Sequence, residues 1–498
     1  MANRTVPTAM LAIALSATTS AAQAGAQGPP QPSGGAPQPS TTQMVLKGKA
    51  PVSNDLLKVK LPRPQEADLA SGLHLIVLED RRLPQIAFQI IIPGAGGYFD
   101  PSDKIGLASY TAQLMREGTK TRTSPQISET LETMSATLNI GSGLSGVAAS
   151  VSGNSLTENF DKLMDLTVDV LLNPTFAPEE WERLKTRTKA GLVQNRANPN
   201  FLAAETFNRA VFGAHPAGRV SPTAANLDAI TPTDLVAFHK TRYVPDQAAI
   251  AFAGDISLAE ARKLVETKLA GWAKAGAKKE SVTDPQTIGP PKVFLVARPG
   301  SVQTTLTVGT QSMVRTDPDY TALTVVNRVL GGTMGRLFRH LREEKGYTYG
   351  VGSSFSATQY RGAWSASTSV RTDVTQPALT DLLAEVTTLR ETPIPANEFA
   401  DVKRAIVGSF ALALENPQQV LGYYIENWVY GLPPDYWDTY PARVMAITPA
   451  QAQAAARKYW APDRLQIVAV GDATKITDIL KTKGELEIYD ADGNRMKP

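Results

Sequence analysis

Residues 106–119, GLASYTAQLMREGT, read as the start of a helix that puts Ser109, Ala112 and Gln113 at i, i+3 and i+4 on one face. That spacing is how a helix offers two metal ligands and a general base to one ion. Zinc takes imidazole, thiolate or carboxylate, and a base needs a titrating group. A hydroxyl, a methyl and an amide supply neither at neutral pH. The residues alone leave open an ordinary helix or a place where a catalytic site would sit and does not.

A second stretch, LGGTMGRLFRHLREEKGYTYGVGSSFS (330–356), does carry donors. After Gly331-Gly332 the spacing predicts a helix to Lys345, with Leu337, Phe338 and Leu341 as its apolar stripe. Gly346 then ends it in a left-handed cap. YTYGVGSSFS alternates as a strand, with Tyr347, Tyr349 and Val351 on one face. A helix–cap–strand turn of this kind brings Arg342 and Tyr349 toward one cleft, where guanidinium and phenol can hold a peptide carbonyl and an oxyanion. The residues alone equally allow Arg342 paired with surface glutamates and Tyr349 half-buried.

GSGLSGVAASVSG (141–153) alternates small residues and predicts a flat strand that another chain can approach closely. As an exposed edge it would accept an extended peptide, with Gly141, Ser142 and Gly143 in contact. As a core strand it would simply pack. Other chemistry is missing from the sequence. The four histidines, His74, His215, His239 and His340, never fall within five residues of each other, and there is no cysteine. No G-x-S-x-G occurs. DADGN (490–494) imitates the start of a calcium loop but lacks its sixth-position Gly and twelfth-position Glu, and so predicts a turn.

The elements that would position these residues follow from the rest of the chain. Its 498 residues, 42% hydrophobic and 19% charged, suit two or more globular domains. Net charge is +3, and Lys278-Lys279 is as long as the basic runs get, which gives no stripe for nucleic acid. The segment Met1–Ala24 carries Arg4, an apolar stretch and a terminal AQA, the pattern of a signal peptide cleaved after Ala24. The mature protein is therefore expected in the periplasm, with no membrane span. Residues 25–60 form a tether whose opening, GAQGPPQPSGGAPQPS (25–40), is mostly Gly and Pro.

The polar stretch 273–292 reads as a linker between halves 61–272 and 293–498. The halves repeat each other. Thr231/Thr448, Pro245/Pro462, Gly254/Gly471 and Asp100/Asp317 share an offset of 217, while Asn198-Pro199/Asn416-Pro417 and PEEWERLK/ANEFADVK share 218. A period this long marks a duplicated domain rather than a solenoid. In each half strands alternate with helices: 73–80 and 85–95 read as a strand pair around a turn, helices follow at 106, 157–171 and 178–196, and 247–255 is a closing strand. The predicted fold class is α+β, two homologous sheets each covered by helices on one face.

LGGTMGRLFRHLREEKGYTYGV closely resembles the second-half signature of the pitrilysin/insulinase zinc peptidases, notably their processing-peptidase-like branch. GGYFDPSDKIGLASYTAQLMREGT falls where that family carries its reversed zinc motif, H-x-x-E-H. The resemblance spans about 65–480. It implies that Ser109 stands for the first His, Ala112 for the Glu and Gln113 for the second His. Ala190 and Gly191 stand where a third, carboxylate ligand is expected. It equally implies that Arg342 and Tyr349 match the family's substrate-binding, intermediate-stabilising Arg and Tyr. Such a chain resembles the non-catalytic subunit of a heterodimeric peptidase, clam-like when paired, with no metal of its own and zinc in its partner. The family's non-peptidase members imply the alternative of a structural or peptide-binding role.

Overall fold

The computed structural model describes residues 59–496. The expected signal peptide and nearly all of the tether lie outside the described residues. The first half runs β1 (Gln65–Asp68), β2 (His74–Glu79), β3 (Gln85–Pro93), α1 (Leu107–Leu114), α2 (Ser124–Thr133), β4 (Thr137–Ser142), β5 (Ala148–Leu156), α3 (Thr157–Leu172), α4 (Pro178–Arg196), α5 (Pro199–Phe212), α6 (Ala224–Ala229), α7 (Pro232–Arg242), β6 (Ala249–Gly254) and α8 (Leu258–Lys268). The second runs β7 (Val293–Ala297), β8 (Gln303–Gln311), α9 (Tyr320–Gly331), β9 (Val351–Phe355), β10 (Ala363–Arg371), α10 (Thr375–Glu391), α11 (Ala396–Ala413), α12 (Pro417–Tyr430), α13 (Tyr440–Ala446), α14 (Pro449–Tyr459), β11 (Gln466–Gly471), α15 (Ala473–Lys481) and β12 (Leu486–Tyr489).

The two sheets have matching orders, β1-β2-β6-β3-β5-β4 and β12-β7-β11-β8-β10-β9. This is the duplicated α+β fold that the repeats predict. The repeated residues are its punctuation. Thr231 and Thr448 are N-caps with reciprocal capping boxes, each followed by Pro in the first turn. Asn198 and Asn416 accept backbone N–H bonds at the starts of α5 and α12. Gly254 ends β6 at φ 126°, where a Cβ would lie 2.1 Å from the Gln85 carbonyl oxygen, so only glycine fits.

Two expectations need correction. The stretches 73–80 and 85–95 are not a strand pair: β6 lies between them, parallel to β2 and antiparallel to β3. Every residue of β6 is buried, so a central place suits it better than an edge. Nor is each sheet covered on one face only. One face of the first sheet packs on α1, α3, α7 and α8 of its own half. The other carries Ile76, Leu78, Ile91 and Ala251, which pack on Phe410, Leu421, Tyr424 and Ile425 from α11 and α12 of the second half. Reciprocally, Leu202, Phe207 and Val211 of α5 pack on Phe294, Val296, Val468 and Val470 of the second sheet. The halves thus exchange helices, and each exchanged helix covers strand faces that would otherwise expose apolar rows.

Residues 273–292 have no regular secondary structure. They are nonetheless tied down. The Tyr98 hydroxyl accepts the Thr283 N–H at 3.0 Å, His215 Nε2 lies 3.0 Å from the Thr283 carbonyl, and Tyr98 stacks on Tyr360 of the second half.

Candidate functional site

Helix α1 begins where Gly106, at φ 103°, turns the chain. Asp100, upstream of the helix, supplies the cap. Its Oδ2 accepts the Gly106 N–H and its Oδ1 the Ala108 N–H, at 2.8 and 2.9 Å. Arg219 donates to the Gly97, Tyr98 and Asp100 carbonyls and fixes the loop before the helix. Asp100 is 4% exposed, and burial pushes its carboxyl up to about 6 against the lowering pull of the Ala108 and Gly106 amides and Arg219. Tyr110 packs on Trp181, with ring centroids 5.6 Å apart, and so sets α1 beside α4.

On this well-held helix Ala112 is fully buried, Ser109 is half-buried and Gln113 is exposed. The Gln113 amide donates to Ser109 Oγ at 3.2 Å, so the two ligand positions are bonded to each other. On α4, Ala190 is exposed, and a Cβ built on Gly191 would meet nothing within 4 Å. The space for a carboxylate remains and the carboxylate does not. Hydroxyl, methyl, amide and bare backbone do not fit a zinc ion. Among the described residues, no three His, Asp or Glu side chains converge as a metal site requires. The histidines serve the fold: His74 sits against Asp68 and Trp428, His239 against the Leu171 carbonyl, and His340 against Glu385.

The stretch 141–153 resolves into both of its alternatives. Gly141 and Ser142 end β4, the outer strand of the first sheet, whose far rim meets no other strand among the described residues. Ala148–Gly153 belong to β5, which is paired on both sides. Gly143 lies past the end of β4 and is exposed, and its carbonyl accepts the N–H groups of Gly97 and Gly146 at 3.1 Å. A Cβ on Gly96 would lie 2.0 Å from the Gly146 oxygen, so the Gly96-Gly97 pair exists to let this loop close on it. That role was legible in the paired glycine clusters, yet the sequence does not say which clusters meet.

In the second half, Gly346 takes φ 62° and stops the helix as expected. The preceding turns are widened to a π-type helix over Phe338–Glu344, a form often found at functional sites. Contrary to expectation, Tyr347 and Tyr349 are not in the strand, which begins at Val351. Thr348 Oγ1 accepts the Gly350 N–H and shares its one hydrogen between the Gly350 and Ser369 carbonyls, which bends the chain at 348–350. Tyr349 is 91% exposed rather than half-buried. Arg342 is exposed and lies over the Phe338 ring at 4.7 Å, and no glutamate among the described residues pairs with it. Among the described residues, no hydrogen bond joins either side chain to the other or to α1.

Known proteins share this architecture. Residues 76–220 match the family described as Insulinase (Peptidase family M16), and residues 229–406 match Peptidase M16 inactive domain. The chain belongs to the M16 peptidase family. An uncharacterised zinc protease of Mycobacterium leprae is 27% identical to this M16 chain over 278 residues, which are 55% of the chain and 61% of that relative. One from Mycobacterium tuberculosis strain H37Rv is 27% identical over 312 residues, or 61% and 69% of the two chains. The crystal structure of a peptidase M16 inactive domain from Pseudomonas fluorescens superposes with a TM-score of 0.77 at 26% identity, covering 82% of this chain and 98% of that one. A protease from Helicobacter pylori shares the fold at a TM-score of 0.75 and 15% identity, covering 83% and 100%.

Proposed function

We propose that this M16 chain is the auxiliary subunit of a two-chain zinc peptidase, exported to the periplasm by the segment that ends at Ala24. The observation that carries this reading is the contrast between the two half-sites. The first half keeps helix, cap and packing at the zinc position without a donor, while Arg342 and Tyr349 stand exposed, and among the described residues neither side chain makes a hydrogen bond or an ion pair. In an enclosed chamber formed with a homologue that retains H-x-x-E-H, Arg342 would bind the carbonyl of a peptide substrate. Tyr349 would donate to the oxyanion that develops on it. The zinc ion, held by the partner, would supply the activated water. The free rim of β4, with Gly141 and Ser142, would take an extended peptide by strand addition.

The test is to purify the chain alone and with a co-expressed zinc-motif homologue, then assay peptide cleavage. The reading requires cleavage only by the pair, and loss of cleavage when this chain is withdrawn. A partner fully active by itself would leave the second reading, a structural or peptide-holding homologue. The unpaired rim of β4 favours that alternative independently of catalysis.

A further inference from the structure

The second half contains a counterpart of the donor-less cleft, and its chemistry is different. Strands β5 and β10 correspond end to end, Ala148 to Ala363 and Leu156 to Arg371. That strand offset of 215, two short of the 217 that relates Asp100 to Asp317, carries Ser109, Ala112 and Gln113 to Thr324, Asn327 and Arg328 of α9. The PEEWERLK/ANEFADVK offset of 218 carries Gly191 to Ser409 of α11. All four second-half residues line one groove of about 440 Å³. That volume lies in the range of small-ligand sites, roughly 300–1,000 Å³.

One wall of the groove is aromatic. Phe410, Tyr423, Trp437 and Tyr440 pack with ring centroids 4.2–6.0 Å apart and border the open space. The rest of the lining mixes Phe355 and Ile406 with polar residues, of which Asn327 and Ser353 are fixed. Asn327 Oδ1 accepts from Trp364 Nε1 at 2.9 Å and from Ser353 Oγ at 2.8 Å. Arg328 is the charged residue of the lining, and no acidic side chain among the described residues borders the groove. Among the described residues its guanidinium makes no ion pair or hydrogen bond, and Glu426 on α12 is already held by Arg315. Rings and an exposed guanidinium without an ion pair in one lining suit a ligand that is both aromatic and anionic. A guanidinium binds a carboxylate through two parallel charge-assisted hydrogen bonds.

We propose that this groove binds peptides ending in an aromatic residue, with the ring against Phe410, Trp437 and Tyr440 and the terminal carboxylate on Arg328. The inference uses no residue of the auxiliary-subunit reading and no partner chain, so either can fail without the other. Calorimetric titration of the full chain with acetyl-Ala-Ala-Phe as free acid, with its C-terminal amide and with N-acetylphenylalanine tests it. The free acid is expected to bind saturably and on the order of tenfold more tightly than the amide. Arg328→Gln should bring the acid down to the amide's affinity, and Ser409→Trp should abolish binding of both by filling the groove. Both variants are checked for an unchanged melting temperature. Equal affinity for acid and amide, indifference to both substitutions, or no saturable binding by the folded chain would overturn the proposal. Binding of N-acetylphenylalanine as tight as that of the tripeptide would overturn its peptide part.

Discussion

Helix α1 and the 338–349 segment are the two chemically marked regions of the molecule, and they differ in what the fold demands of them. In α1 the residues that cap and pack are intact: Asp100 bonds two amides, and Tyr110 rests on Trp181. The positions that would carry chemistry, Ser109 and Gln113, merely bond to each other. In the other segment Arg342 and Tyr349 contribute little to packing, since Tyr349 is 91% exposed and Arg342 touches only the Phe338 ring among aromatic contacts of the described residues. The contrast shows that the residues holding this fold are distinct from Arg342 and Tyr349, the pair proposed to meet a substrate. Helix α1 stands on its cap and packing with no metal donor at Ser109, Ala112 or Gln113.

Substitutions should separate the two classes. Trp364 is fully buried, packs on Trp460 and donates to Asn327, so Trp364→Ala should cost about 3–5 kcal/mol in chemical denaturation, whereas Tyr349→Ala should stay within about 0.5 kcal/mol. In the proposed two-chain enzyme the order should reverse. Arg342→Ala or Tyr349→Phe should lower turnover by on the order of 10²–10³, or about 3–4 kcal/mol, with the melting temperature unchanged. Unaltered kinetics would place both side chains outside the reaction.

The cap of α1 gives a pH signature of its own. The Asp100 carboxyl titrates at about 6 in the fold and near 4 when unfolded, so the folded state holds its proton more tightly. Its contribution is fully present below about pH 4 and is lost as pH rises to about 6, up to about 3 kcal/mol in all. Denaturant midpoints of the wild type and Asp100→Asn across pH 4–7 should differ by a curve that slopes in that window and is flat above it. A pH-independent difference would remove the titration from the account. The smallest effect is expected at the emptied site itself. Ser109→Ala and Gln113→Ala should each shift stability by less than about 0.5 kcal/mol and leave the partnered activity within twofold.

Much of the fold was legible because its punctuation is local. Pro178 opens α4, Gly346 closes the helix before it, and the repeated Thr-Pro and Asn-Pro pairs are caps whose geometry needs only neighbouring residues. What was not legible is long-range. No local signal tells β2 and β3 that β6, far downstream at Ala249–Gly254, will enter between them, since an apolar strand reads the same in the centre as beside a turn. The exchange of α5 and α12 is hidden for a similar reason: each helix is apolar on one face, and periodicity does not name the sheet it will cover. At the site, the loss of donors could be read residue by residue. The placement of Tyr349 could not, because Thr348 bonds to Gly350 and bends the chain there, where alternation suggested a strand.

As proposed above, this M16 chain would act only beside a zinc-bearing homologue. Elemental analysis of the purified single chain, read together with its peptide cleavage, tests this most directly. The account predicts zinc well below one ion per chain and no cleavage by the single chain, with both appearing when the homologue is co-purified. One tightly held zinc per isolated chain, with peptide hydrolysis that a chelator abolishes, would contradict it.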